Sequence, residues 1–273
     1  MTFYCFLVTT TDAVVAMAEK IAGTEDGFVK MMNDRAKELG LNDTSFKNPH
    51  GLDTANHYSS AYDMMLIAKE LVKHDEVLKY TSIYEDYLRK NTDKQIWLVN
   101  TNKLVRFYDG VDGLKTGYTA GAGYCLTATA KRNGVRFIAV AMGEPDSKTR
   151  NAEISSMLDY AFAQYTVEKV LSTDSILGTK EVEKGKEKVA TIVPMEDINI
   201  LYKKIDNKKN ITYNLKVNKL KAPLKYGDVV GTIELLEDEK VIKTINVTVK
   251  NDVAKANFFE LYLRNLTDII SGN

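Results

Sequence analysis

The chain has little cysteine: Cys5 and Cys125 are the only two in 273 residues. Two cysteines make neither a disulfide framework nor a zinc-ligand spacing, and Cys125, in a strand-like run, reads as a small core residue. Histidine is equally sparse. His50, His57 and His74 form no His-Glu-x-x-His pattern, so no metal site is expected. Neither sign of charge is in excess: 37 Lys+Arg meet 37 Asp+Glu, so no net field favours nucleic acid. No apolar run approaches the roughly 20 residues of a membrane span. The opening MTFYCFLV is apolar, but it is too short for the core of a signal peptide. It has no basic residues before it and no cleavage site. It reads as the last part of an interrupted strand or helix.

What is present is concentrated between Gly110 and Gly143, GVDGLKTGYTAGAGYCLTATAKRNGVRFIAVAMG. Lys115-Thr116-Gly117 falls on a strand, followed by a Gly-rich turn and a two-strand hairpin. Such a strand can line a cleft and pair with an extended substrate. Acyl-transfer sites that use this triplet also need Ser-x-x-Lys, in which the lysine activates the serine. The 273 residues contain no Ser-x-x-Lys.

Periodicity orders the rest. Asp12 is expected to cap a helix over DAVVAMAEKIA, stopped by Gly23, and Thr24 to open a second helix that ends at Gly40. Residues 41–58 read as loop. Ser59 or Ser60 caps a helix over SAYDMMLIAKELVKH, and 82–99 reads as a hairpin. YCLTATAK predicts a strand with one covered face, Leu126, Ala128 and Ala130, and one partly polar face. Asn133-Gly134 predicts a tight turn. VRFIAVAMG predicts a strand buried on both faces. Ser147 is expected to cap a helix with an apolar stripe through Ile154, Met157, Leu158, Ala161, Phe162 and Tyr165. Helices, a sheet and a covering helix amount to one α+β layer domain over 1–165. Short β-rich runs with regular turns over 166–254 predict a small all-β sandwich. Residues 255–273 predict an amphipathic helix with Phe258, Phe259, Tyr262, Leu263, Leu266, Ile269 and Ile270 on one side. A membrane interface is its expected partner.

FVKMMNDRAKELGL, FKNPHGLD, HYSSAYDMMLIAKEL, LVNTNKLV and the 110–143 stretch, in this order, resemble the serine-type D-alanyl-D-alanine carboxypeptidases, the low-molecular-mass penicillin-binding proteins. The likeness covers nearly the whole chain. It implies a penicillin-binding, β-lactamase-like transpeptidase domain, partial here, then a β-sandwich and a membrane-docking helix on the outer face of the cytoplasmic membrane. It implies removal of the terminal D-Ala from peptidoglycan stem pentapeptides through an acyl-enzyme, with no cofactor. Lys115, Thr116 and Gly117 match the family's Lys-Thr-Gly. The Lys115 ammonium supplies positive charge, the Thr116 hydroxyl holds the substrate carboxylate, Gly117 allows close approach, and the Tyr118 N–H forms half of an oxyanion hole. Arg150 matches the arginine that helps hold the carboxylate. Where the family has Ser-x-Asn this chain has Thr9-Thr10-Thr11, so Thr9 keeps a hydroxyl at a proton-relay position and Thr11 offers no carboxamide. His50, in NPHGLD, reads as loop architecture beside the cleft. With no Ser-x-x-Lys, the resemblance implies a chain lacking the family's N-terminal segment and inactive alone. It would bind β-lactams only with that segment restored. The alternative reading is a non-catalytic wall- or membrane-associated module.

Overall fold

The computed structural model describes residues 11–205 and 211–263. The chain divides into two compact units, Met1–Gln164 and Tyr165–Asn273.

The first unit begins with helices α1 (Thr11–Ala22) and α2 (Glu25–Glu38). Asp12 lies within the first turn of α1 rather than at its cap, where its charge still favours the positive end of the helix dipole. Thr24 caps α2, its Oγ1 accepting from Gly27 N at 3.0 Å. Positive φ at Gly23 and Gly40 turns the chain out of both helices. The 41–60 loop is tied down by buried side chains. Asp63 accepts from Asp43 N and Thr44 Oγ1 at 2.9 and 2.7 Å. Asn48 bonds Leu52 O, Thr54 Oγ1 and Gly51 N. Helix α3 (Ala61–Leu71) is capped by Ser60, and α4 (Asp75–Thr81) follows. The hairpin β1 (Glu85–Leu88) and β2 (Ile96–Val99) pairs Tyr87 with Trp97 and Glu85 with Val99. A single turn, α5 (Leu104–Phe107), leads into the main sheet.

That sheet is antiparallel, in the order β3 (Val111–Thr119), β4 (Gly123–Arg132), β5 (Val135–Glu144). Asn133 and Gly134 both take positive φ, 50° and 80°, as a two-residue hairpin requires. The expected burial of the two hairpin strands is corrected here. β4 is the strand buried on both faces: Leu126 through Ala130 are all buried, Thr127 and Thr129 included. β5 is mostly half-buried. The reason is position, because β4 is central whereas β5 is an edge among the described strands. One face meets α6 (Ser147–Gln164), whose Ile154 and Leu158 pack on Leu126, Ala128, Ala130, Ala139 and Ala141. Each such fully buried Ile or Leu contributes about 1.5–3 kcal/mol. α3 and α4 cover the other face, where a Cβ at Gly113 would come within 2.6 Å of Thr81 Oγ1.

Two boundaries are also corrected. Asp146, not Ser147, caps α6: its Oδ1 accepts from Lys148 N and Thr149 N, both at 2.8 Å. Tyr165 is not the last residue of the helical stripe but the first of strand β6 (Tyr165–Leu171).

In the second unit, β6 pairs with β9 (Ile198–Lys203). The main sheet runs in the order β10 (Ile211–Val217), β12 (Gly231–Glu237), β13 (Lys240–Val249), β8 (Val189–Pro194), β7 (Gly178–Glu183), β11 (Leu220–Lys221). Ile192, Ile198, Ile233, Leu235, Val247 and Val249 form its core. The described part of the C-terminal helix is 258–263. It opens on a reciprocal cap in which Glu260 N donates to Asn257 Oδ1 and Asn257 N to Glu260 Oε2. Leu266, Ile269 and Ile270 lie outside the described residues. Among the described residues no helix is long and apolar enough to cross a membrane.

Candidate active site

A cleft of about 880 Å³ opens along β3. Its walls come from β3 (Leu114 to Tyr118), the 49–52 loop, the 99–103 segment, Thr11 and Val14 of α1, and the first turn of α6 with Ser147 and Arg150. Of the residues singled out in the sequence, Lys115, Thr116, Gly117, Tyr118, Arg150 and His50 all line it. Thr9 lies outside the described residues.

β3 is an edge of its sheet among the described strands, so one side of its backbone carries no partner strand and is free to pair with an extended chain. Side chains alternate across a strand. Lys115 is half-buried, and its Nζ donates to Thr116 O at 2.8 Å. Burial, and then the nearby Arg150 charge, hold its pKa below the usual 10.5. Arg150 is only 4% exposed. Its guanidinium donates to Asn151 Oδ1 at 2.9 and 3.2 Å and to Cys125 O at 3.4 Å, and burial lowers its pKa as well. Among the described residues neither cation has a carboxylate within salt-bridge distance. Two poorly solvated positive charges with only neutral acceptors make a strong local demand for an anion.

Gly117 needs no glycine for its neighbours' sake. A Cβ there would come no closer than 4.0 Å to Cys125 Cβ, so the space its missing side chain leaves belongs to the cleft. Tyr118 and Tyr124 pack against each other across the hairpin, ring centroids 4.4 Å apart and planes tilted by 38°. His50 serves the loop: its Nδ1 accepts from Leu52 N at 3.3 Å and its Nε2 lies 3.6 Å from Glu25 Oε1.

Sequence reading missed Thr101, whose Oγ1 lies 2.6 Å from Thr116 Oγ1 and fixes that hydroxyl. It also missed the two asparagines that hold Thr101 in place. Asn100 Nδ2 donates to Thr81 O and Ile83 O, and Asn102 Nδ2 donates to Gly113 O at 3.1 Å. Both are buried. An Asn-Thr-Asn run directly after an apolar strand was the available signal.

The fold is that of the penicillin-binding proteins. Penicillin binding protein 5 from Haemophilus influenzae superimposes with a TM-score of 0.65 at 34% identity, over 92% of this chain and 73% of that one. Penicillin-binding protein D2 from Listeria monocytogenes in a cefotaxime-bound form matches with a TM-score of 0.53 at 32% identity, over 59% of this chain and 64% of that one. Residues 2–146 match the D-alanyl-D-alanine carboxypeptidase family, and 165–255 the C-terminal domain of penicillin-binding protein 5. The D-alanyl-D-alanine carboxypeptidase DacF of Bacillus subtilis is 48% identical over 258 residues, 94% of this chain and 66% of that protein. The chain belongs to the D-alanyl-D-alanine carboxypeptidase family. It spans just under two thirds of the length of the curated relatives it matches, as with DacF.

Proposed function

We propose that the cleft receives the D-Ala-D-Ala end of a peptidoglycan stem peptide and serves the removal of its terminal D-Ala. The observation that carries this reading is the pair of cations, half-buried Lys115 and buried Arg150, converging on one cleft without a carboxylate partner among the described residues. In this reading the peptide adds to the edge of β3 as an extended strand. Its terminal carboxylate is held by Arg150 and the Thr116 hydroxyl, with Thr101 fixing that hydroxyl's direction. Gly117 lets the ligand backbone approach, the Tyr118 N–H points to the developing oxyanion, and Lys115 stabilises charge as the acyl group transfers. Thr9 is assigned the proton-relay position.

The bond-forming serine is not among these 273 residues, since no Ser-x-x-Lys occurs in them. They therefore recognise the substrate without forming the acyl-enzyme themselves, which needs a nucleophile beside a base; β-lactams are bound only with a segment that supplies both. The exposed Phe258, Phe259, Tyr262 and Leu263 support an interfacial role for the C-terminal helix at the outer face of the cytoplasmic membrane.

The test is calorimetric titration with a peptide ending in D-Ala-D-Ala, beside its C-terminal amide and its L-Ala-L-Ala counterpart. Preference for the free D-Ala-D-Ala carboxylate is expected. Indifference to the carboxylate would remove the cleft from substrate binding.

A further inference from the structure

We propose that the end of the β-sandwich from which the C-terminal helix leaves is a docking surface for anionic phospholipid headgroups. The proposal rests on the interfacial reading of that helix given above. It adds a second contact, made by the sandwich itself, and a lipid class.

Strand direction brings three connections to this one end. β7 stops at Glu183, and the 184–188 turn leads back into β8, its antiparallel partner. β13 is antiparallel to β8, so it runs out, at Val249, toward that same turn. There the 250–257 segment is tied to it: Lys186 N donates to Ala254 O and Ala256 N to Lys184 O. β12 is antiparallel to β13, so the 222–230 loop that precedes it arrives at this end too. Leu224 pairs with Val253 and closes the group. The C-terminal helix begins here, with Lys186 Nζ 3.4 Å from Glu260 Oε1.

The charge at this end is one-sided. Lys184, Lys186 and Lys188 lie in the first connection, Lys250 and Lys255 in the second, and Lys225 in the third, with Lys219 just before it; all are exposed. The acids in these connections are Glu187, Asp228 and Asp252. Two of them are taken up by backbone, since Asp228 accepts from Lys225 N and Asp252 from Tyr226 N, each at 2.7 Å. Lys184, Lys219, Lys225, Lys250 and Lys255 have no carboxylate within salt-bridge distance among the described residues. The charges of the whole chain cancel, so this cluster is a local field on one surface, of the kind an anionic leaflet attracts.

The 222–230 loop also presents a ring. Tyr226 is 60% exposed and Val229 55%. The backbone beneath is braced, with Tyr226 N held by Asp252 Oδ1 and Gly227 N by Thr248 Oγ1 at 2.9 Å. Tyrosine suits the headgroup level of a bilayer, where its ring and hydroxyl meet different surroundings. Phe258 and Phe259 stand exposed on the helix that starts from the same end, so one surface offers apolar insertion and positive charge together. The helix does not bring that charge itself. Residues 258–273 hold Glu260 and Asp268 against Arg264, so a preference for anionic lipid has to come from the lysines.

The experiment floats the full chain with phosphatidylcholine vesicles and with the same vesicles doped with phosphatidylglycerol. We expect binding about tenfold or more tighter to the doped vesicles, at about fivefold for each lysine that reaches the headgroups. The difference should shrink as salt shortens the screening length. Lys184→Gln, Lys219→Gln and Lys225→Gln together should erase the preference and spare binding to phosphatidylcholine. Arginine at the same three positions should keep it, and Tyr226→Ser should weaken binding to both vesicles. Glutamine at exposed Lys37, Lys47 and Lys69 of the first unit should leave the preference intact; its loss there would make the effect one of general charge and overturn the proposal. Equal binding to both vesicles would sink this surface and leave the helix reading standing. Binding to neither would sink both. Capture of soluble polyphosphate as tightly as of doped vesicles, indifferent to Tyr226, would replace the lipid with a dissolved polyanion.

Discussion

In the proposed function, Arg150 concentrates the recognition chemistry in one side chain. Its guanidinium is buried against only an amide oxygen and a backbone carbonyl, so a carboxylate ligand gains a charged hydrogen bond that water does not supply. Arg150→Ala should weaken binding of a D-Ala-D-Ala peptide by about 1.5–3 kcal/mol and leave the C-terminal amide unaffected, as read by calorimetry. Lys115 adds a pH dependence. Its folded pKa lies below the ordinary 10.5 because burial disfavours the ammonium. Between the two values the unfolded chain holds the extra proton, so this group's contribution to stability rises with pH across that window. In the proposed function the Lys115 ammonium adds its charge to that of Arg150 in drawing the carboxylate, so affinity should fall as pH climbs through the lowered value, short of 10.5. Lys115→Met should flatten that profile. Gly117→Ala should fold normally, given 4.0 Å of clearance, yet lose affinity, because the added methyl occupies the ligand's approach. At this scale the sequence was legible where chemistry is carried by a short run, as in Lys115-Thr116-Gly117. Arg150 was legible only through the family likeness. Thr101 and Asn102 were marked only by the Asn-Thr-Asn run, which does not reveal their partners, because those depend on where a loop passes in space.

At the scale of elements, helices α1, α2 and α3 could be read because each has a clear apolar period, with a glycine stop after α1 and α2 and a hydroxyl cap before α2 and α3. Helix α4 escaped because seven residues give a period little room. The strand burial was inverted for a physical reason. Small residues mixed with threonine, as in LTATA, look half-polar in sequence, yet a central strand between two helical layers needs small side chains on both faces. The cap of α6 was misplaced by one residue because Asp146 and Ser147 are both good capping residues. Asp146→Ala should cost about 0.5–2 kcal/mol in denaturant unfolding. It should also loosen the turn that carries Arg150, so peptide affinity should fall with stability. Asp146→Asn should restore most of both.

At the scale of the molecule, the proposed function separates recognition from bond formation. The 273 residues hold two cleft-lining cations and a strand edge but no Ser-x-x-Lys. Incubation with a fluorescent penicillin should therefore give no covalent adduct by denaturing electrophoresis and intact mass. A stable adduct of one penicillin per chain, lost in Thr9→Val, would make Thr9 a nucleophile. The exposed Phe258 and Phe259, 76% and 75%, should carry the chain to the surface of neutral liposomes on flotation. A version ending at Val253 should remain in solution.

The two uncompensated cations also set thermal robustness against usefulness. Charges held from water without partners weaken the native state, and apolar residues of similar shape often do better in such places. Arg150→Met should melt at a higher temperature than the natural chain while being blind to its ligand. A carboxylate peptide should conversely act as a folding aid, adding about 2.7 kcal/mol at a hundred times its dissociation constant. Heat tolerance and ligand recognition therefore pull Arg150 in opposite directions, and a variant series at this one position should trade melting temperature against peptide affinity.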